Sequence, residues 1–130
     1  MQDVTAAIVL NEAGEVLLAR RAPSEKHAGS WEFPGGKVEA RETPEECLVR
    51  EMMEECGVRV GIKSFVAESV YLTAGGAIRL LAYRCEIIAG HLTMSVHDAY
   101  RWVRPSELLT YSLLPADVPI AKRCQQGFGE

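Results

Sequence analysis

The sequence predicts a single α/β domain whose strands form a mixed β-sheet. Short apolar segments bounded by turn residues lie on both sides of one strongly marked helix, and a second helical pattern lies near the end of the chain. No linker, repeat or low-complexity tract divides the 130 residues, which are enough to bury a core. We therefore expect one domain over residues 1–130.

The N-terminal part of the chain predicts two strands. VTAAIVL (4–10) and EVLLARR (15–21) are apolar runs separated by the turn-forming stretch NEAG. We expect these strands to be neighbours joined by a tight turn. The polar stretch 22–30 then predicts a loop, and the Pro-Gly-Gly of 34–36 predicts a sharp turn of the backbone.

The strongest helix signals follow. Thr43 is a natural N-cap, Pro44 suits the first helical position, and Glu46 completes a T-x-x-E capping box. Gly57 is a natural C-terminal stop. The apolar residues at helical spacing would form the buried face: Leu48, Val49, Met52 and Cys56.

The second half of the chain predicts three more strands and a helix. The apolar segments 58–72 and 77–88 predict strands separated by the turn TAGG, and YRWVRPSEL predicts a strand running into a turn. The stretch 113–126 predicts a C-terminal helix whose start is marked by Pro115 and Asp117.

Composition and charge limit the partners that we expect. The net charge of −4 and the pI near 5.4 argue against binding of long nucleic acids, but not against small phosphorylated ligands, since a divalent cation can supply positive charge. The four cysteines show no CxxC spacing, which predicts reduced, partly buried thiols. We find no signal-peptide pattern and no apolar run of membrane-spanning length, so we expect a cytoplasmic protein without membrane contact.

Three carboxylates crowd one short segment of the predicted helix. Glu51, Glu54 and Glu55 fall within five residues, and like charges at helical spacing repel one another. One interpretation is an acidic, solvated helix face. The other is a cation site, because Mg²⁺ is usually held by a few carboxylates together with substrate phosphates. The glycine-rich turn before the helix favours the second interpretation.

Residues 36–58, GKVEARETPEECLVREMMEECGV, resemble the Nudix box, G-x5-E-x7-R-E-U-x-E-E-x-G-U, where U is a bulky apolar residue. All nine specified positions match: Gly36, Glu42, Arg50, Glu51, Met52, Glu54, Glu55, Gly57 and Val58. WEFPGGK and LLPADVPIAK also resemble MutT-like nucleoside triphosphate pyrophosphohydrolases, especially those acting on CTP-type substrates. The resemblance implies a Nudix α/β/α sandwich and Mg²⁺-dependent hydrolysis of a nucleoside diphosphate linked to another group, with Mn²⁺ as an alternative cation.

The resemblance also implies roles for residues of the box. Glu51 and Glu55 would be direct metal ligands, Glu54 a further ligand or the holder of a metal-bound water, and the carbonyl of Gly35 would complete the shell. Arg50 would orient the carboxylates through charge-assisted hydrogen bonds, although an ordinary surface ion pair is the simpler alternative.

Residues outside the box would contact the substrate. By resemblance Lys37 and Arg21 would hold phosphate oxygens, the alternative being solvent-facing charges. Glu42 would contribute to a second metal or fix its loop. The products would be a nucleoside monophosphate and pyrophosphate.

The sequence departs from its relatives at one position. Related sequences often carry a Glu in the loop before the RWV-like strand, as metal ligand or general base, and this chain has Val96 there. Asp98, Glu54 or a metal-activated water alone would then serve as the base. His97 in the same loop has two interpretations of equal weight, a functional group or a histidine packed under the sheet.

Asp117 bears on the choice of base. MutT proteins of the oxidised-guanine type resemble this chain but carry Asn here, which donates and accepts, whereas an ionised Asp only accepts and favours an amino group such as cytosine N4. The alternative is that Asp117 caps the last helix. Glu32 would help bind the sugar or base. Three aromatic residues would stack on the base or belong to the core: Trp31, Phe33 and Tyr71.

Other functions remain open at this level. Another Nudix substrate, such as ADP-ribose, a dinucleoside polyphosphate, an oxidised purine triphosphate or the 5′ triphosphate of RNA, would use the same box. A nucleotide-sensing module without turnover is disfavoured because no acid of the box is missing. We expect a small-molecule nucleotide as the partner and a monomer or homodimer as the assembly.

Overall fold

The computed structural model describes residues 1–128 as six strands, two α-helices and two 3-10 helices. The strands are β1 (Gln2–Val9), β2 (Val16–Arg21), β3 (Trp31–Glu32), β4 (Val58–Thr73), β5 (Gly76–Gly90) and β6 (His97–Val103). The α-helices are α1 (Pro44–Cys56) and α2 (Val118–Cys124), and the 3-10 helices are Pro105–Thr110 and Pro115–Asp117.

The strands form two three-stranded sheets. The first has the order β1-β5-β4, with β1 parallel to β5 and β4 antiparallel to β5, so it is the mixed sheet that the sequence predicts. The second has the order β3-β2-β6 and is antiparallel.

The expected pairing of the first two strands is wrong. β1 and β2 lie in different sheets, and an isolated bridge links Leu10, just after β1, to Val16 at the start of β2. The other edge of β1 pairs instead with residues 34–36, called here the glycine-rich segment. Thr5 N donates to Gly36 O at 2.8 Å, and Ala7 N donates to Pro34 O at 2.7 Å. This pairing brings the segment against the centre of the fold.

The core lies on both faces of β1, because successive side chains of a strand point to opposite sides. Ala6 and Ile8 pack in one apolar cluster with residues of α2, and Ala7 and Val9 pack in the other with residues of α1. The two helices therefore cover opposite sides of the sheets, which confirms the predicted α/β layering.

Local sequence signals place α1 correctly. Thr43 accepts from Glu46 N and the Glu46 side chain accepts from Thr43 N, so the capping box is present. Gly57 ends the helix in the left-handed conformation, at φ 69°. The buried face differs by one residue, since Cys47 is buried whereas Val49 is only partly buried.

Two predicted boundaries shift. The C-terminal helix runs over Val118–Cys124 rather than 113–126, because the residues around Pro115 form a separate 3-10 turn. His97 and Asp98 are the first residues of β6 rather than part of a loop.

The four cysteines are free and buried, as reduced thiols would be. Within residues 1–128, no helix is both long and apolar enough to span a bilayer.

Candidate active site

Two carboxyl groups of α1 face each other beside the glycine-rich segment. Glu51 and Glu55 lie one helical turn apart, and their carboxyl groups are within hydrogen-bonding reach. A Cβ atom placed on Gly36 would lie 2.1 Å from Glu51 Oε2, so the glycine lets the segment approach this carboxylate. The side chain of Glu54 is 58% exposed and accepts from the same Arg50 nitrogen as Glu51.

Arg50 joins the loop to the helix. Its Nε and Nη2 donate to the two oxygens of Glu42 at 2.9 and 2.8 Å, and its Nη1 donates to Glu51 and Glu54, each at 3.1 Å. Its Nη2 also donates to the carbonyl oxygen of Lys37 at 3.3 Å. This fork lowers the pKa of Glu42 to about 2 and raises the pKa of Arg50. Glu42 is thus placed where it fixes the loop.

Crowding changes the charge of Glu55. Burial, followed by the nearby charges of Glu51 and Glu32, raises the pKa of Glu55 to about 8. Burial also raises the pKa of Glu51, and Arg50 opposes that shift. At neutral pH the pair therefore retains a proton in the absence of a cation.

The donor set fits a hard divalent cation bound largely through its ligand. No group of three or more acidic, histidine or cysteine side chains converges on one point within the described residues 1–128. Mg²⁺ needs fewer, since one or two carboxylates plus substrate phosphates usually hold it. Glu51 and Glu55 supply two. The Gly36 carbonyl already accepts from Thr5 N, at 2.8 Å, whereas that of Gly35 has no donor in the described part of the chain.

A second charged group extends the site from β2 to β6. Glu32 Oε2 accepts from Arg21 Nη1 at 3.0 Å and pairs with His97 Nε2 at 2.8 Å. The side chain of His97 is fully buried, while that of Glu32 keeps 14% of its surface exposed. The charge of Glu32 raises the pKa of both Glu55 and Asp117, so it acts on both.

Asp117 is buried and bound to the backbone of the same segment. Its Oδ2 accepts from Phe33 N at 3.2 Å, and only 4% of the residue is exposed. Its side chain does not cap α2, so that alternative is wrong. Burial first, and then Glu32, raises the pKa of Asp117 well above its usual range. This shift favours the protonated acid, which can donate as well as accept, whereas the prediction of base preference assumed an ionised Asp117 that only accepts.

Other predicted residues lie apart from the carboxylates. Asp98 pairs with Arg20 at 2.7 Å, and this is its one ion pair within residues 1–128. Lys37 is exposed. Phe33 belongs to the core, Trp31 packs at its margin, and Tyr71 is exposed near the tip of the β4–β5 hairpin.

Sequence reasoning missed two residues that support the site, Thr5 and Cys47. Thr5 Oγ1 lies 3.2 Å from Gly36 O and 3.4 Å from Cys47 Sγ, and this thiol also reaches the carbonyl of Lys37 at 3.4 Å. It also left His97 undecided. The lone polar position in the apolar run of β1 was the available signal for Thr5.

The chain is similar to known proteins along most of its length. A family model described as NUDIX domain matches residues 1–124. The chain is 40% identical over 120 residues to the CTP pyrophosphohydrolase of Escherichia coli K12, covering 92% of this chain and 88% of that protein. It is 38% identical over 105 residues to the putative 8-oxo-dGTP diphosphatase 2 of Mycobacterium tuberculosis H37Rv, covering 78% and 73%.

A solved structure shows the same fold. The solution structure of the E. coli ORF135 protein superposes with a TM-score of 0.85 at 38% identity, over 97% of this chain and 89% of that one. The domain model matches nearly the whole chain, and the alignment with the CTP pyrophosphohydrolase covers most of both proteins. Together they establish the family. The chain belongs to the Nudix family of hydrolases and is a nucleotide pyrophosphohydrolase.

Proposed function

We propose that the protein hydrolyses a cytidine-type nucleoside triphosphate, with Mg²⁺, to the nucleoside monophosphate and pyrophosphate. The observation that carries the proposal is the Glu51–Glu55 carboxyl pair, whose side chains lie within hydrogen-bonding reach of each other beside a glycine-rich segment. A pair of this kind is relieved by a divalent cation, and a nucleotide triphosphate is a ligand that brings its own phosphate oxygens.

The residues around the pair would have distinct tasks. Mg²⁺, or Mn²⁺ in its place, would be held by Glu51, Glu55 and the Gly35 carbonyl, and would neutralise charge on the phosphates and lower the pKa of the attacking water. Arg50 keeps Glu51 in place through its fork to Glu42. Phosphate oxygens approaching this acidic face would meet the guanidinium of Arg21 and the exposed amine of Lys37.

Glu54 is the residue that we propose as general base. It is exposed and, among residues 1–128, its side chain accepts one hydrogen bond, from Arg50 at 3.1 Å, so its second oxygen is open to water. Asp98 is a weaker proposal, because the guanidinium of Arg20 occupies it and lowers its pKa. A carboxylate with a lowered pKa is a weaker base, and the short ion pair to Arg20 limits its movement toward an attacking water.

Base preference follows from Glu32 more than from Asp117. Glu32 is bound by two donors and remains an acceptor, which suits an exocyclic amino group such as cytosine N4. The similarity to a CTP pyrophosphohydrolase supports the same class. A second candidate is an oxidised guanine triphosphate, because a neutral Asp117 can donate and accept as an amide does, and a relative bears the name of an 8-oxo-dGTP diphosphatase.

The test is formation of the nucleoside monophosphate from CTP, dCTP, UTP, dATP, 8-oxo-dGTP and ADP-ribose, with Mg²⁺ or with EDTA. We expect CTP or dCTP to give the highest kcat/KM and EDTA to abolish turnover. Preference for 8-oxo-dGTP or ADP-ribose would keep the hydrolysis and reject the base assignment.

The role of Glu54 is tested separately. We expect Glu54→Gln to lower kcat by about 10²–10⁴-fold, the usual contribution of a positioned base, without loss of folding. Asp98→Asn is the matched control and should change kcat less than about threefold. The reverse ranking of the two variants would transfer the role to Asp98.

A further inference from the structure

His97 is buried in a way that an ordinary core residue is not. The ring has no exposed surface, and its Nδ1 has no hydrogen-bond partner among residues 1–128. Leaving a polar atom unpaired in the interior opposes folding. The ring makes one polar contact in return, from Nε2 to Glu32 Oε2 at 2.8 Å. An apolar side chain would fill this space without that penalty.

The partner determines which nitrogen carries the proton. Glu32 Oε2 also accepts from the guanidinium of Arg21 at 3.0 Å, so Glu32 is held as a carboxylate, which can only accept. The hydrogen between His97 and Glu32 must therefore lie on Nε2. This assigns the Nε2–H tautomer and leaves Nδ1 as the unpaired nitrogen.

Arg21 and His97 both donate to Oε2 of Glu32, and together they fix the rotation of this carboxylate. Arg21 alone would not do so, because its guanidinium also donates to the Lys26 carbonyl and lies 3.7 Å from Glu25 in the same loop. His97 approaches from β6, the strand paired with the other edge of β2, and opposes any movement toward that loop. The second oxygen, Oε1, has no partner within the described residues, and the side chain is still partly exposed.

We propose that His97 is a positioning residue for base selection, holding the Glu32 carboxylate so that Oε1 accepts a hydrogen bond from an exocyclic amino group of the nucleotide. This rests on the proposed nucleotide substrate. Glu32 acts electrostatically on both Asp117 and Glu55, so it lies near the carboxyl pair as well as near the buried Asp117. A base with a carbonyl oxygen at that position would meet a carboxylate and be rejected.

CTP and UTP are the matched substrates, since they differ only at C4, an amino group against a carbonyl oxygen, and at the neighbouring N3, which carries a hydrogen in uracil alone. We expect His97→Phe to raise KM for CTP about tenfold, the effect of a weakened hydrogen bond to a charged group, with kcat and the UTP values changed less than about twofold. His97→Gln, whose amide can donate to Glu32, should restore most of the preference. His91→Phe, at an exposed position, is the control.

A purely structural role predicts a different pattern. Loss of correctly folded protein would lower kcat for CTP and UTP equally with KM unchanged, and that result would overturn the proposal. Because His97→Phe could fold poorly, nitrogen NMR of the wild-type imidazoles provides a second test. We expect the Nε2–H tautomer for His97 and a change in its nitrogen shifts in Glu32→Gln, and the Nδ1–H tautomer would exclude the geometry.

Binding separates this proposal from the proposed reaction. If the wild-type protein hydrolyses no nucleotide, the reaction is wrong, but calorimetric binding of CMP and UMP still tests the role of His97. We expect a CMP preference that falls about tenfold in His97→Phe. Equal binding of CMP and UMP by the wild-type protein would overturn the role of His97 whatever the turnover.

Discussion

The charge of Glu55 couples the site to pH. In the metal-free protein its pKa is about 8, because burial and the charges of Glu51 and Glu32 favour the protonated form. A cation needs the ionised form, so below pH 8 it competes with a proton. We predict that the apparent Mg²⁺ affinity rises about tenfold per pH unit up to pH 8 and then levels off. Calorimetric titration of the metal-free protein between pH 6 and 9 measures this.

The corresponding control is Glu55→Gln. The amide cannot be ionised, so this variant should bind Mg²⁺ weakly and with little pH dependence over the same range. Proton release in the wild-type protein at pH 7, measured in two buffers of different ionisation enthalpy, should disappear in the variant. A wild-type affinity that is flat from pH 6 to 9 would contradict the shared proton.

Asp117 couples folding to pH in the opposite way to a salt-bridged acid. Its pKa is raised in the folded protein, so the folded state binds more protons than the unfolded state above the ordinary value of 3.8. The contribution of Asp117 to the free energy of unfolding therefore falls as pH rises from about 4 toward the folded pKa. A neutral amide of the same shape escapes this loss.

We predict that Asp117→Asn becomes progressively more stable than the wild-type protein above pH 4, by at most about 1.4 kcal/mol per pH unit. Urea unfolding of both proteins between pH 4 and 8 measures the difference. The other carboxyl groups titrate in both proteins, so their effect cancels in the difference between the two free energies of unfolding. A constant difference across that range would mean that Asp117 is ionised when buried.

At the scale of elements, the glycine-rich segment is confined from two sides. A Cβ atom on Gly35 would lie 2.0 Å from the backbone oxygen of Thr5, whereas one on Gly36 would meet the side chain of Glu51. Backbone cannot move without breaking the pairing of β1, but a side chain can rotate. Gly35 is therefore needed for the pairing of β1, and Gly36 is needed for the position of the Glu51 carboxylate.

We predict that Gly35→Ala destabilises the protein by about 2 kcal/mol or more, through overpacking, and that Gly36→Ala costs roughly 1 kcal/mol or less. Gly36→Ala should instead raise the Mg²⁺ concentration needed for half-maximal turnover, because Glu51 is displaced. Urea unfolding and Mg²⁺ titrations of both variants separate the effects. Equal destabilisation by both substitutions would be inconsistent with the structure.

A helix whose ends are marked by capping residues could be predicted from the sequence, whereas the pairing of one strand with another could not. The caps of α1 are read from Thr43 and Gly57, whose contacts lie within a few residues along the chain. The partner of β1 is different, since the segment at Gly36 and the distant β5 take its two edges. Those contacts depend on tertiary packing that no short stretch encodes.

The site divides in the same way. The spacing of Glu51 and Glu55 on one helix already predicts their contact, whereas the choice between His97 and Asp98 depends on where β6 begins. A shift of one residue along a strand moves a side chain to the opposite face. With β6 starting at His97, the histidine reaches Glu32 and Asp98 reaches Arg20.

At the scale of the whole molecule, the four cysteines are distributed over both apolar clusters of the core and the region beneath the glycine-rich segment. Cys56 and Cys85 lie in the cluster under α1, Cys124 lies in the cluster under α2, and Cys47 lies beneath the glycine-rich segment. Burial raises the pKa of Cys56, Cys85 and Cys124 to about 12, and it also raises that of Cys47. Few thiolates therefore exist in the native state at neutral pH.

We predict that modification by a thiol reagent at pH 8 requires opening of the structure. Cys47, Cys56 and Cys85 should react together, at a urea midpoint equal to that of global unfolding, because helix α1 and the mixed sheet pack as one unit. Cys124 should react at lower urea, because α2 has only seven residues and a helix this short is stable only through its packing. Mass spectrometry of each labelled cysteine gives the four midpoints. Rapid labelling of Cys47 without urea would show that the support of the glycine-rich segment opens independently of the core.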